Sequence, residues 1–75
     1  MAIIKNIKID SEFITLGQFL KAADIISSGG EAKSFLAENR ILVNGEEDKR
    51  RGRKLYKDDM IQIDGKRYVI CMFSP

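Results

Sequence analysis

Two dipeptides, Asn44-Gly45 and Asp64-Gly65, each stand between short runs of strand-forming residues. Asn-Gly is the strongest two-residue hairpin signal, because its two residues accept the positive φ that matches the twist of paired antiparallel strands. Ahead of the first dipeptide, Ile41–Val43 reads as a brief strand; behind it come Glu46, Glu47 and Asp48 on a returning limb. The second dipeptide joins a strand over Met60–Ile63 to a return over Lys66–Phe73. Between these hairpins, Leu55 and Tyr56 add apolar side chains, and Lys57, Asp58 and Asp59 turn the chain. On the last strand Tyr68, Ile70 and Met72 line one side and Val69, Cys71 and Phe73 the other. Apolar residues on both sides predict a central or covered strand.

The first half of the chain changes period. In residues 3–9, Lys8 between Ile7 and Ile9 gives the alternation of a half-buried strand, with one of Ile3 and Ile4 facing away. Thr15 followed by Gln18 forms a capping-box pattern, and Leu16, Phe19, Leu20 and Ala23 then recur at helical spacing. Gly17 lowers the propensity of that first turn, and Ile25 and Ile26 are expected to fold under as the helix ends. Ser27, Ser28, Gly29 and Gly30 break the chain. A second helix is expected from there, with Ser28 as its N-cap, Ala32, Phe35 and Leu36 on its buried stripe, and Asn39 as a left-handed C-terminal cap. The short link makes the helices neighbours. The order strand, helix, helix, several strands predicts an α+β fold: two adjacent helices packed on a small, mainly antiparallel sheet.

Seventy-five residues suit one domain, 1–75, with a single small core that buries only roughly 60% of the unfolded surface. A monomer is expected. One cysteine, Cys71, leaves no internal disulfide and reads as an inert core thiol. Without histidine or a second cysteine, neither a metal centre nor an activated nucleophile is expected, and no cofactor. Asp58 and Asp59 share a turn rather than facing across a cleft, so paired-carboxylate hydrolysis has no scaffold. No apolar run reaches the roughly 18 residues of a membrane span, and Lys5 and Lys8 interrupt any leader-like pattern, so a cytoplasmic location is expected.

Charge is distributed unevenly. Residues 1–48 sum to −3 and residues 49–75 to +5, within a total of only +2. Six of the nine residues 49–57 are basic: Lys49, Arg50, Arg51, Arg53, Lys54 and Lys57. Such asymmetry points to a polyanion partner, and arginine forks suit phosphate oxygens. The opening of the second helix offers N–H groups and a partial positive charge to the same kind of ligand, with Glu31 competing and Lys33 offsetting it. A blander account fits too. Residues 46–59 sum to only +1, as in a salt-bridged hairpin, and Ser28 with two glycines suffices as a cap and turn. Strand alternation would send Arg51 and Arg53 one way and Arg50 and Lys54 the other, unless the loop is irregular. Arg51, Arg53 and Lys54 are the favoured core of a binding site. Tyr56 and Tyr68 could stack on bases, but packing in the core with only a hydroxyl showing is the favoured expectation, and six aromatics of which four are Phe offer no stacking platform.

Four segments, Ser28-Gly-Gly-Glu-Ala-Lys33, Ile41-Leu-Val-Asn-Gly45, Arg51-Gly-Arg-Lys-Leu55 and Asp59-Met-Ile-Gln-Ile-Asp-Gly65, occur in an order and spacing that resemble the RNA-binding domain named after ribosomal protein S-four. The likeness covers about residues 14–70 and is nearest to small standalone bacterial proteins of the YaaA and YbcJ type. It implies the alpha-L motif, in which two helices and the next hairpin present a basic surface to structured RNA, ribosomal RNA among the candidates. By position, the implied contacts are Ser28, Gly29, Gly30 and Lys33 on the helix side, with Asn44, Arg50, Arg51, Arg53 and Lys54 on the hairpin side. Three positions depart from the pattern: Gly29 replaces a common arginine, Asn39 a cap glycine, and Asp58 a turn glycine. The competing expectations are a protein-interaction adaptor, docking through a sheet edge or the acidic half, and a binder of duplex DNA.

Overall fold

The computed structural model describes residues 4–72. Its elements follow the order β1 (Ile4–Ile9), β2 (Ile14–Thr15), α1 (Leu16–Ala22), α2 (Glu31–Glu38), β3 (Ile41–Val43), β4 (Glu46–Glu47), β5 (Lys54–Leu55), β6 (Met60–Ile63) and β7 (Lys66–Met72). Five strands form one mixed sheet in the order β1-β7-β6-β3-β4, and β2 pairs with β5 in a separate two-stranded ladder. The α+β class and the two hairpins agree with the sequence. Asn44 (φ 52°) with Gly45 (φ 88°), and Asp64 (φ 52°) with Gly65 (φ 79°), occupy the left-handed region that such turns require. Asp58, in place of a turn glycine, has φ 73°.

One ladder departs from the antiparallel pattern. β1 runs parallel to β7, from Ile4 opposite Arg67 to Ile9 opposite Met72, while β7–β6, β6–β3 and β3–β4 are antiparallel. β7 is therefore central, as its two apolar sides foretold. The inward rows are Ile7 and Ile9, Tyr68 and Ile70, Ile61 and Ile63, and Ile41 and Val43, all buried against Leu16, Phe19 and Leu20 of α1 and Ala32 and Leu36 of α2. Phe19 meets Tyr68 edge-on, ring centres 5.4 Å apart at 82°. Ile4 is the outward residue at the start of β1; Ile3 and Phe73 lie outside the described residues. Met72, assigned to the inner side by alternation, is exposed at the sheet's end.

The helix ends separate what local chemistry dictates from what it permits. Thr15 caps α1 as its pattern predicts: its hydroxyl accepts from the Gln18 N–H, and the Gln18 side chain accepts from the Thr15 N–H. α1 ends in a Schellman arrangement, with Asp24 at φ 61°, its N–H bonded to Lys21 O and the Ile25 N–H to Leu20 O. The expected caps of α2 are both corrected. Its N-cap is Gly30, with no side-chain bond; Ser28 instead offers its carbonyl to the Glu31 N–H. Asn39 is extended (φ −125°), not left-handed, and caps through its amide, which donates to Phe35 O at 3.0 Å. An asparagine side chain can satisfy a helix-end carbonyl directly, which removes the need for the strained backbone.

Candidate nucleic-acid interface

Residues 48–53 form an irregular loop rather than a strand, so simple alternation does not set where its side chains point. Two contacts seat this loop on the helices. The first N–H groups of α1, which have no partner inside the helix, donate to it: Leu16 to Arg53 O at 2.8 Å and Gly17 to Arg51 O at 2.9 Å. Gly17 faces the loop and α2 here: a Cβ at this position would make ordinary contact, at 3.4–3.6 Å, with Arg51 and the Ala32 methyl. α1 thus uses its own opening to hold the arginines rather than to meet solvent.

Asp48 holds the loop from the other side. Its side chain is almost fully buried. Oδ1 accepts from the Arg50 N–H at 2.9 Å and from Arg50 Nε at 3.1 Å; Oδ2 accepts from Arg50 Nη2 and Arg53 Nη1, both at 2.8 Å. The Arg50 guanidinium holds the Asp48 carboxyl well below the usual carboxylate range, against the burial that would raise it; the Arg50 N–H and Arg53 add to the effect. Asp48 in turn raises the Arg50 guanidinium above its ordinary value. Arg50 and Arg53 therefore share a direction that alternation would have split, and both are partly neutralised. Glu47 similarly pairs with Arg40 at 3.3 Å and, at 4.0 Å, with Lys49.

The loop's cations divide between two open clefts. Lys49 and Arg51 join Lys33 of α2 in a groove of about 340 Å³ floored by Leu36 and Ala37, with no acidic side chain in its lining. Lys33 and Arg51 have no ion-pair partner among the described residues. Arg50, Gly52, Arg53 and Lys54 border the second cleft with Tyr56 and Asp59. The Lys54 ammonium lies 4.9 Å from the centre of the Phe13 ring.

Other positions singled out in the sequence have different surroundings. Ser28, Gly29 and Gly30 are exposed ahead of α2 but line neither cleft. The Glu31 carboxylate there accepts from the Ser27 N–H at 3.4 Å. The Asn44 amide is committed within the molecule, accepting from the Met60 N–H at 3.0 Å and donating to Asp59 Oδ1 at 3.1 Å. Lys49 stands in the groove although the family pattern did not include it; its place in the basic run was the available signal. Tyr68 is buried as expected, whereas Tyr56 is 45% exposed, a correction to the core placement of both tyrosines. Nothing local distinguishes the two. Tyr68 lies on the central strand, and Tyr56 just beyond the two-residue β5.

This arrangement offers two ammonium groups and a guanidinium over an apolar floor, suited to charge-assisted bonds with anionic oxygens. Comparison with known proteins locates the chain in sequence space. Over 59 residues it is 64% identical to a Bacillus subtilis (strain 168) protein named "Probable ribosome maturation protein RlbA", covering 79% of this chain and 83% of that one. A family model described as the S4 domain matches residues 7–71, a span that takes in the second half of β1, both helices, the seated loop and nearly all of β7. On that match and that arrangement of elements, the chain belongs to the S4 domain family.

Proposed function

We propose that this protein binds structured RNA without catalysing a reaction, and that its RNA is ribosomal or belongs to an assembling ribosome. The observation that carries this reading is the acid-free groove in which Lys33 of α2 meets Lys49 and Arg51 of the loop. Its cations attract phosphates, and we read the helix-plus-hairpin surface as an alpha-L surface that recognises the shape of a folded RNA. Arg50, Arg53 and Lys54, which border the second cleft, add to the positive field, and the exposed backbone of Ser28, Gly29 and Gly30 lies ahead of Lys33 on the same chain segment. Asn44 contributes by holding the hairpin rather than by touching RNA. The ribosomal context rests on the name of the Bacillus relative and on family membership. No cofactor is required, and the protein works as a cytoplasmic monomer.

The test is the triple variant Lys33→Glu, Lys49→Glu, Arg51→Glu, which leaves the Asp48 cluster untouched. Its affinity for ribosomal RNA, followed through a salt titration, is expected to fall by at least tenfold, with a shallower dependence on salt because roughly three phosphate contacts are gone. Retained affinity with an unchanged salt slope would refute the groove. Salt-insensitive capture of a protein in place of RNA would favour the adaptor function.

A further inference from the structure

The second cleft carries chemistry that phosphate binding does not use. Phe13 and Tyr56 form an aromatic pair, ring centres 5.9 Å apart and tilted by 47°, with Tyr56 45% exposed. An exposed tyrosine in a chain with so small a core contributes little to folding where it stands. Around it lie Arg50, Arg53 and Lys54. Arg50 Nη1 and Arg53 Nε and Nη2 make no hydrogen bond among the described residues, so donors remain free although Asp48 binds both side chains. Asp59 also borders the cleft, but its oxygens are engaged, Oδ1 with Asn44 and Oδ2 with the Tyr56 N–H at 2.7 Å. That last bond fixes the backbone from which the Tyr56 ring projects.

We propose that this cleft receives one unpaired nucleobase of the bound RNA, stacked on Tyr56, while Arg50, Arg53 and Lys54 take the phosphates on either side of it. The inference rests on the RNA-binding function above and adds to it: the preferred RNA is a helix interrupted by a bulged or looped-out nucleotide. A flat apolar face beside three cations matches a base flanked by phosphates, since any base offers a π-face and the backbone brings the charge. The RNA duplex next to the unpaired nucleotide then meets the Lys33 groove, which the same loop lines through Lys49 and Arg51.

Two RNA hairpins of equal length and charge, one carrying a single unpaired adenosine bulge and one fully paired, separate the possibilities. The wild-type protein is expected to bind the bulged hairpin roughly tenfold more tightly, the worth of one stacked base. Tyr56→Ala and Tyr56→Leu are expected to erase that preference without changing the salt slope, while Tyr56→Phe retains it. In NMR spectra of wild type and Tyr56→Phe, the ring protons of residue 56 are expected to move upfield on adding the bulged hairpin, with Tyr68 as the internal control. This measurement stands even if a truncated variant folds poorly. Equal affinity for both hairpins, or an unshifted ring, would overturn the stacking site while leaving RNA binding intact, provided the groove triple variant still weakens both complexes. If the wild type binds neither hairpin nor ribosomal RNA, the RNA-binding function falls and the stacking site with it.

Discussion

Asp48 shows how one residue changes the meaning of its neighbours. In the sequence it is one of several acids diluting a basic run; in the fold it is the buried end of a four-bond cluster with Arg50 and Arg53. Two of the arginines that appeared most available for phosphate therefore also shape the loop. Asp48→Asn is expected to cost about 1–3 kcal/mol in urea denaturation, the range for hydrogen bonds to charged groups, toward the lower end because Arg50 is exposed and screened. The pH dependence has a definite sign. The native carboxyl is held below its unfolded value, so the unfolded chain binds more protons in acid and stability falls as pH drops. The contribution is complete above the ordinary aspartate range, near about pH 4, and drains away below it toward the depressed native value. Stability curves measured downward from neutral pH should therefore decline less steeply for Asp48→Asn than for the wild type. Tyr56 is the other residue whose role position decided: its composition is that of Tyr68, and only the end of β5 leaves it outside the core.

Among the elements, the two helices differ in how much of their ends is written locally. α1 carries its capping box within Thr15–Gln18, and both bonds of the box form. α2 opens on Gly30 with no side-chain cap, and its start is held by the carbonyls of Ser28 and Gly29. The contrast is measurable. Thr15→Ala is expected to lower stability by about 1 kcal/mol, the usual worth of a cap, and Ser28→Ala to stay within about 0.5 kcal/mol of wild type. Thermal or urea unfolding of the two variants side by side checks both. A serine before a helix is a frequent cap, but it caps only when its backbone is extended at the boundary position. Here the two glycines carry the chain one further turn, and the boundary passes to Gly30. The loop between β4 and β5 lies at the opposite extreme: its backbone is held by α1, an element that short-range pattern does not connect to it, while Asp48 within the loop directs Arg50 and Arg53.

The whole molecule is closed by β1, which joins the first described strand to the last through a parallel ladder. β7 gains neighbours on both edges, and Ile70, fully buried, sits where that ladder, β6 and the helices converge. Ile70→Ala is expected to cost about 2–5 kcal/mol, a large share of the roughly 5–15 kcal/mol of a whole domain, and hydrogen exchange should place the β7 amides among the slowest. A loss below about 1 kcal/mol in equilibrium unfolding would contradict the central position of this strand. Local periodicity and turn chemistry were enough to determine the α+β class, both hairpins, the capping of α1, the central place of the last strand and the presence of a basic segment. The hairpin turns and the α1 cap depend on contacts within a few residues, which a chain states directly, and the class and the central strand follow from the order and period of its apolar residues. Tertiary structure alone decided that β1 runs parallel, that Arg51 and Lys49 meet Lys33, and that Tyr56 stays in solvent. Each of those outcomes depends on which distant surface a side chain reaches, and that distance is set only once the core has packed.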